Sequence, residues 1–317
     1  MFLCVSPNPA IDKRVRAQTF AVGAINRATS IEAFPGGKSA HVAMVLCTLG
    51  ESPAWIGPTG GNAGQELIEG LDILGINASA VPVADSTRTN LEIIDAAGKV
   101  TELLEPGPVL SASEISAFID TCIVAFSCGG SQLTVIFSGS LPASAPPDLY
   151  ATLIAAARKH NCRALLDTGG PPLKAALAAQ PDFVKPNRDE TQELLGTSLD
   201  SLSAAAGAVR QLIQFGARSA ALTLGAEGIL FSPGANQPVY FLPAVQLNPL
   251  STVGCGDSAL AAFAQSFECG ASPSETLRLA AACAAANCLA PSPGTARRVD
   301  IDTFLAQLPS TATEIPP

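Results

Sequence analysis

Four short apolar runs recur between residues 133 and 225, and each is closed by polar or glycine residues. They are LTVIFS at 133–138, CRALLD at 162–167, DFVKPN at 182–187 and SAALTLG at 219–225. Helical patterns separate them, and the runs are apolar at consecutive positions. Strands of this kind are buried on both faces, which predicts an α/β fold with a mostly parallel central sheet between helices.

Residues 89–104 have a different pattern. TNLEIID and VTELL alternate apolar and polar residues around an AAGK turn, as in a hairpin with one polar face. A hairpin is marginally stable alone, so we expect it to pair with strands from residues 12–33. The chain is therefore predicted to divide into a body (residues 1–11, 34–84 and 105–317) and a small β-sheet lid (residues 12–33 and 85–104). From Pro309 onwards we expect little regular structure.

The composition argues against several functional classes. The 317 residues carry a formal net charge of −9, which repels nucleic-acid phosphates. The nine cysteines include no C-x-x-C pair and there are two histidines, so we expect reduced thiols, no zinc site and a cytoplasmic location. The N-terminal segment lacks the basic residues of a signal peptide. Gly, Ser and Pro interrupt the uncharged residues 121–147, so we expect no membrane span.

The strongest local signal for chemistry is TVGCGDS at 252–258. Two glycines flank Cys255, and Asp257 follows at the start of an Ala-rich helical pattern. Gly254, Cys255 and Gly256 can direct backbone N–H groups to one point at a helix N-terminus, which forms an anion hole. Asp257 is then suited to accept a proton from an attacking hydroxyl, a combination that favours phosphoryl transfer.

Two other interpretations of this segment stay open on these residues alone. An acidic residue in the first turn of a helix is favourable without any catalytic role. Gly254, Gly256 and Ala259 also match the G-x-G-x-x-G/A pattern of nicotinamide oxidoreductases. No acidic residue follows at the end of a second strand, where that pattern requires one to bind the ribose.

Further candidates lie in glycine turns and in the loops after predicted strands. Lys38 lies in GGKS, which lacks the first glycine of a Walker A loop but still offers a cation at a helix start. Arg88 has the side chain best suited to bidentate phosphate binding, although a lone Arg is more often a surface residue. Asn187 and Glu190 are spaced i, i+3, which suits water-mediated Mg²⁺ binding or a simple capping box.

Nine motifs occur in an order that resembles the ribokinase superfamily, and within it the phosphofructokinase B branch. They are SPNPAID, GGKSAHVA, TRTN, EPGP, SGSLP, DTGG, KPNRDE, TLGAEG and STVGCGDS. The likeness covers about residues 1 to 308 and is greatest to 1-phosphofructokinases and tagatose-6-phosphate kinases. It implies a ribokinase-like three-layer sandwich with a β-sheet lid. It also implies an ATP- and Mg²⁺-dependent kinase of fructose 1-phosphate, tagatose 6-phosphate or fructose 6-phosphate, and a homodimer formed through the lid.

The resemblance also implies roles for individual residues. Asp257 matches the catalytic base, and Gly254, Cys255 and Gly256 match the anion hole. The sugar pocket matches Asp12, Gly37, Lys38, Arg88, Asn90 and Ser138, and His41 stands at a further position of that pocket. We expect Arg88 to bind the phosphate already on the substrate. The nucleotide side matches Lys185, Asn187, Thr223, Gly225 and Gly228. Asn187 with Glu190 matches the N-x-x-E pattern that is linked to Mg²⁺ through water.

The chain departs from the family pattern in two motifs. After G-G-K the family usually has a small residue and then Asn, where this chain has Ser39 and His41. That Asn commonly contacts sugar hydroxyls, so the identity of the sugar stays open. Ser251 replaces the usual Asn before T-V-G. Two alternatives remain: a kinase of an unphosphorylated sugar or nucleoside on the same fold, and a non-catalytic sugar-phosphate sensor.

Overall fold

The apolar runs of the sequence become central strands of the larger of two β-sheets. The computed structural model describes residues 1–315. The strands are β1 (Phe2–Val5), β2 (Ala10–Ala17), β3 (Ala28–Gly36), β4 (Ala54–Thr59), β5 (Asn77–Pro82), β6 (Arg88–Ile94), β7 (Val100–Leu104), β8 (Thr134–Ser138), β9 (Arg163–Asp167), β10 (Phe183–Val184), β11 (Ala220–Thr223), β12 (Ile229–Ser232), β13 (Val239–Leu242) and β14 (Thr313–Ile315).

The large sheet is parallel through its centre. Within residues 1–315 its order is β14-β13-β12-β11-β10-β9-β8-β1-β4-β5. The strands from β11 to β5 in this order run parallel to one another. The strands β12, β13 and β14 add an antiparallel edge. The mostly parallel central sheet predicted from sequence is therefore confirmed.

Helices cover both faces of this sheet. They are α1 (Lys38–Thr48), α2 (Gly61–Ile73), α3 (Ala112–Gly129), α4 (Leu149–Lys159), α5 (Gly170–Leu177), α6 (Arg188–Leu195), α7 (Leu202–Gln214), α8 (Cys255–Cys269), α9 (Pro273–Cys288) and α10 (Arg298–Gln307). The helices α1, α2, α8, α9 and α10 pack on one face, and α3 to α7 pack on the other. Successive residues of β1 show why: Cys4 enters the first core, whereas Leu3 and Val5 enter the second. The expected three-layer sandwich is confirmed.

The small sheet has the order β3-β2-β6-β7. The strands β2 and β6 are parallel, and β3 and β7 flank them as antiparallel neighbours. The strand β2 follows β1 after the short 6–9 turn, so the small sheet is attached directly to an inner strand of the large sheet. Its strands Ala10–Ala17 and Ala28–Gly36 extend beyond the segment 12–33 that the sequence predicted for the lid.

A buried ion pair within the small sheet is hydrogen-bonded to the loop before α8. Arg14 and Glu92 are direct neighbours on β2 and β6, and their side chains form a salt bridge that is almost fully buried. Ser251 donates a hydrogen bond from Oγ to Oε1 of Glu92 at 2.7 Å. The position of the small sheet is thereby linked to the segment that leads into the predicted anion hole.

Two parts of the chain differ from the sequence prediction. The prediction of little structure after Pro309 is wrong for Thr313–Ile315, which pairs with β13 as an edge strand. Residues 316–317 of that segment lie outside the described residues. The edge strand β5 was missed, because most of its side chains are exposed and it lacks an apolar run.

One helical segment within the described residues, Ala112–Gln132, is long and apolar enough to cross a membrane by length and composition alone. Its helix α3 buries Phe118, Cys122 and Phe126 in the core and exposes its other side. The ring of Phe126 meets that of Phe137 on β8 edge-on, with centroids 6.2 Å apart. The helix α3 therefore belongs to the helical layer formed by α3 to α7. This position fits a helix that precedes the buried strand β8.

Candidate active site

A cleft of about 1210 Å³ lies where the carboxyl ends of the parallel strands face the small sheet. Ligands bind at this edge of open α/β sheets, because the loops after neighbouring strands converge there. The walls come from the small sheet, the start of α1, the loops after β8 to β11, and the start of α8. The motifs that are far apart in sequence therefore meet around one space.

Most of the residues predicted from sequence line this cleft. They are Asp12, Gly37, Lys38, His41, Arg88, Asn90, Lys185, Asn187, Glu190, Thr223, Gly225, Gly228, Gly254, Cys255, Gly256 and Asp257. Ser138 does not line it, since it is buried at the end of β8 and its Oγ has no hydrogen-bond partner within residues 1–315. Ser140 lines the cleft instead, where its Oγ lies 3.3 Å from Nδ2 of Asn8.

Asp257 lies in the first turn of α8, beside the backbone of the glycine turn. Gly254 caps this helix with a φ of 80°, a conformation that favours glycine. A Cβ at this position would also lie 2.9 Å from Cβ of Pro293, so there is no room for a side chain. The helix start presents its N–H groups and positive potential to the cleft, which suits an anion.

The glycine turn is fixed from behind by the end of α9. Nδ2 of Asn287 donates to the carbonyl of Val253 at 2.7 Å, and Oδ1 of Asn287 accepts from the N–H of Gly294 at 2.9 Å. The Sγ atoms of Cys255 and Cys288 lie 3.3 Å apart. These contacts support the backbone of the candidate anion hole from the side opposite the cleft.

His41 joins two carboxylates in the cleft. Its Nδ1 lies 2.8 Å from Oδ2 of Asp257, and its Nε2 lies 2.9 Å from Oδ2 of Asp12. A neutral imidazole has one N–H donor, so two carboxylate partners require the doubly protonated ring. Burial disfavours that charge, but the hydrogen bonds and charges of Asp12 and Asp257 outweigh it and raise the pKa of His41 to about 10. We call Asp12, His41 and Asp257 the histidine bridge.

Asp12 is held by a second donor as well. Nδ2 of Asn90, its neighbour on β6, donates to Oδ1 of Asp12 at 2.8 Å. Burial opposes the charge of Asp12, but the hydrogen bonds from His41 and Asn90 outweigh burial and keep its pKa below the ordinary value. Each carboxylate oxygen has two lone pairs, so Asp12 can still accept a hydroxyl from a ligand.

Two lysines surround a third carboxylate. Nζ of Lys185 lies 2.8 Å from Oδ2 of Asp167, and Nζ of Lys38 lies 3.3 Å from Oδ1. Burial favours neutral Asp167, but the charges of Lys185 and Lys38 outweigh it and lower the pKa of this carboxyl. Lys38 also lies 3.6 Å from Oε1 of Glu190. We call Lys38, Asp167 and Lys185 the lysine–aspartate cluster.

Asn187 and Glu190 form the capping box that was the simpler interpretation of their spacing. Oδ1 of Asn187 accepts from the N–H of Glu190, and Oε2 of Glu190 accepts from the N–H of Asn187, both at 2.8 Å. Thr223 lies beside Asn187 on the next strand. A Cβ on Gly228 would lie 2.3 Å from the carbonyl oxygen of Leu242. Within residues 1–315, no group of three or more His, Cys, Asp or Glu side chains is arranged to hold a metal ion.

Arg88 lies at the start of β6, where the small sheet meets the body. Its NH1 donates to the carbonyl of Glu105 at 3.1 Å and its NH2 donates to that of Asn8 at 3.0 Å. Its Nε is buried without a hydrogen-bond partner within the described residues. Two backbone carbonyls therefore fix the guanidinium, and its Nε–H is left without an acceptor within the described residues.

Sequence reasoning missed three residues that organise the site. Asp167 was passed over inside the DTGG loop, although an acidic residue at the end of a buried strand is a usable signal. Asn287 lies in an Ala-rich helix, and nothing in the sequence links it to the glycine turn. Glu92 follows the alternating pattern of its strand, and only the folded chain shows its contact with the loop before α8.

The model of the pfkB family carbohydrate kinases matches residues 8–299 of this chain. The chain belongs to the PfkB family of carbohydrate kinases. It is 34% identical over 279 residues to a 1-phosphofructokinase from Rhodobacter capsulatus, covering 88% of this chain and 87% of the relative. It is 37% identical over 269 residues to a 1-phosphofructokinase from Xanthomonas campestris pv. campestris, covering 83% and 82%.

Solved structures agree with the assignment to the PfkB family. Phosphofructokinase-2 from Escherichia coli, in complex with substrates and products, superposes with a TM-score of 0.89 at 27% identity and covers 97% of this chain and 99% of that one. Ribokinase from Arabidopsis thaliana, complexed with ribose and ATP, has a TM-score of 0.75 at 20% identity, over 96% and 98%, which shows the fold alone. PfkB carbohydrate kinases use ATP, so the chain is a sugar kinase and the oxidoreductase interpretation of the glycine turn is wrong.

The pKa of His41 gives a prediction for the pH dependence of stability. The folded state raises this pKa from 6.5 to about 10. The stabilisation is therefore complete below pH 6.5 and is lost as pH rises through about 10. The difference in free energy of unfolding between the wild type and His41→Asn should shrink over this window, as measured by urea unfolding. The same comparison with His160→Asn, at the end of α4, serves as control. A difference that stays constant with pH would contradict the assigned charge.

Proposed function

We propose that this kinase transfers the γ-phosphate of ATP to a primary hydroxyl of a ketohexose phosphate, with fructose 1-phosphate as the first candidate. One observation carries the proposal: Asp257, beside a fixed glycine turn, shares one cleft with a set of lysine and arginine cations. The relatives at 34% and 37% identity are named 1-phosphofructokinase, which favours fructose 1-phosphate over fructose 6-phosphate and tagatose 6-phosphate.

Asp257 is proposed as the general base. The acceptor hydroxyl oxygen forms a bond to the γ-phosphorus, its proton passes to the Asp257 carboxylate, and the bond between the γ-phosphorus and the bridging oxygen of ADP breaks. Asp257 is almost fully buried, so little water competes for it. The backbone N–H groups of Gly254, Cys255 and Gly256 would stabilise the charge that develops on the moving phosphoryl group.

The nucleotide is proposed to lie on the side of the cleft formed by Lys185, Asn187, Thr223, Gly225 and Gly228. Small residues of α9, among them Ala281 and Ala285, line the same region and leave room for a flat base. A Cβ added to Gly256 would lie 3.3 Å from Nζ of Lys185. The ammonium group therefore lies against the glycine turn, as a phosphate-binding cation should.

Glu190 and Asn187 are proposed to hold Mg²⁺ through water. One carboxylate oxygen of Glu190 caps its own helix, and the other faces the cleft near Lys38. Hard oxygen donors of this kind suit Mg²⁺, which usually keeps several of its waters. When bound, the ion would supply positive charge to the phosphates. Within this arrangement Glu190 would act by orienting water molecules.

Arg88 is proposed to bind the phosphate already present on the sugar. Backbone carbonyls orient its guanidinium at the edge of the cleft, beside Asp12 and Asn90. Asp12 and Asn90, with Gly37 and Lys38, are proposed to surround the sugar hydroxyls. His41 lines the same pocket, with its two ring nitrogens directed to Asp12 and Asp257. Ser138 was proposed for this group from the resemblance, and the exposure of Ser140 to the cleft favours Ser140 for that role.

The lid is proposed to form a homodimer interface. Ile31 on β3 and Leu103 on β7 lie on the same face of the small sheet, and each is 61% exposed. Exposed large apolar side chains on one face suit a protein interface. Light scattering should give twice the chain mass, and a monomer at all concentrations would contradict the proposal.

We also propose a cytoplasmic location, which all nine free cysteines favour and cell fractionation would test.

Asp257→Asn should lower kcat by about 10²- to 10⁴-fold, because it removes the proton acceptor while keeping size and shape. A coupled ADP-release assay measures the effect. Asp72→Asn, at an exposed position on α2, should leave kcat unchanged. Turnover of Asp257→Asn close to that of the wild type would refute the assignment of the base.

Arg88→Ala should raise the KM for the sugar phosphate about 10-fold or more, because it removes a charge-assisted hydrogen bond. The acceptor panel is fructose 1-phosphate, fructose 6-phosphate, tagatose 6-phosphate and free fructose. Any turnover of free fructose should be affected far less by this variant. Arg27→Ala, an exposed arginine on the small-sheet side, is the matched control. Equal losses on phosphorylated and free sugars would contradict the phosphate role.

A further inference from the structure

His41 contacts parts of the protein that are otherwise separate. The ring belongs to α1, its Nε2 partner Asp12 lies on strand β2 of the small sheet, and its Nδ1 partner Asp257 lies on α8 of the body. Asp12 and Asp257 are 245 positions apart in the sequence, and each accepts from a different nitrogen of the same ring. One side chain thus fixes a carboxylate proposed for the sugar and the carboxylate proposed for the base.

We propose that His41 is a positioning residue with two separable duties. Its Nε2–H orients Asp12 for the sugar phosphate, and its Nδ1–H orients Asp257 for proton transfer. This inference rests on the proposed function, in that it takes Asp257 as the base. His41 itself accepts no proton from the substrate in this account, because both ring nitrogens already carry a proton that is donated to a carboxylate.

The packing around His41 holds the ring in this place. Only 5% of its side chain is exposed. A Cβ on Gly294 would lie 3.0 Å from Cα of His41, so the loop after α9 presses closely on the backbone at this residue. On the other side, a Cβ on Gly36 would lie 2.3 Å from Cγ of Asp12. Neighbouring strands and loops thereby leave both the ring and its first carboxylate partner little freedom.

The hydrogen bond to His41 also decides how Asp257 can meet a hydroxyl. Oδ2 is occupied by Nδ1 of His41, and the other oxygen, Oδ1, accepts no hydrogen bond from any donor within residues 1–315. Oδ1 is therefore the atom available to receive the proton. A fixed Oδ2 sets the direction of Oδ1, and correct orientation of a base accounts for a large part of its catalytic effect.

Cations other than His41 also act on the two carboxylates of the histidine bridge. The imidazolium lies between two carboxylates. The charge of Lys38, on the same helix as His41, attracts that of Asp257, and the charge of Arg88, on β6, attracts that of Asp12. Removal of the His41 charge therefore leaves each carboxylate with one cation nearby. The effect of a substitution at His41 should then come mainly from lost orientation.

Two substitutions at His41 can separate the duties. The amide nitrogen of Asn is as many bonds from Cβ as Nδ1 of His, and that of Gln is as many as Nε2. His41→Asn keeps a donor for Asp257 and loses the donor for Asp12, whereas His41→Gln does the reverse. Both variants remove the same positive charge, so they are matched for electrostatics.

The test measures kcat and KM for the acceptor that the wild type uses best, by ADP release. His41→Asn should raise the sugar-phosphate KM about 10-fold or more with kcat within about 3-fold of the wild type. His41→Gln should lower kcat about 10-fold or more with the sugar-phosphate KM within about 3-fold. His160→Asn should change neither value. Equal effects of the two variants on kcat and KM, or lowered thermal stability with unchanged kinetics, would overturn the proposal.

A second measurement covers variants that fail to fold. In ¹⁵N-histidine spectra of the wild-type chain, both ring N–H protons of His41 should be protected from exchange with water. Asp12→Asn should shift the Nε2–H signal, and Asp257→Asn should shift the Nδ1–H signal. The absence of protection at either nitrogen would overturn the proposal. This readout does not require turnover, so it separates failure of the inference from failure of the proposed function.

Discussion

Asp167 forms ion pairs with two lysines at the carboxyl ends of the central strands, and the cleft is organised around these contacts. Moving an ammonium group out of water is costly unless a carboxylate compensates for it. Lys185 follows β10, Lys38 begins α1, and Asp167 ends β9, so the cluster forms only when these three elements are in register. A protein with a net charge of −9 thereby presents two fixed cations where an anionic substrate would bind.

The histidine bridge has the opposite charge order to the lysine–aspartate cluster. One places a cation between two anions, and the other places an anion between two cations. Lys38 and His41 connect them, because they are three residues apart and share one face at the start of α1. The helix α1 contains no acidic residue, so the carboxylate partners of Lys38 and His41 all come from other elements. Its first turn depends on Gly37, whose φ of 82° no other residue adopts easily.

The sequence was a good guide wherever a local pattern determined the structure. Consecutive apolar residues predicted the inner strands β8, β9 and β11, and the alternation in 89–104 predicted the pair β6 and β7. The exposed edge strand β5 and the terminal strand β14 carry no such pattern, because neither is buried on both faces. Their pairing is determined by neighbouring strands that are distant in sequence.

The same distinction applies to the candidate site. Asp257 could be singled out because the glycines that shape its surroundings are adjacent in sequence. For His41, the sequence showed only a departure from the family's Asn, since its two partners lie 29 positions before it and 216 positions after it. The position of Asp167 at the end of a buried strand marks it as a candidate, but its pairing with Lys38 and Lys185 appears only in the folded chain, because these residues come from separate elements.

The hydrogen bond between Ser251 and Glu92 has a consequence for how this family can diverge. It joins positions 159 residues apart, one in the small sheet and one in the loop before α8, at a distance of 2.7 Å. A longer side chain at 251, such as the Asn common in the family, would need a different neighbour at 92 or a displaced loop. Substitutions at the two positions should therefore be inherited as a pair, so that co-variation of residues 92 and 251 records which sugar kinases share this arrangement.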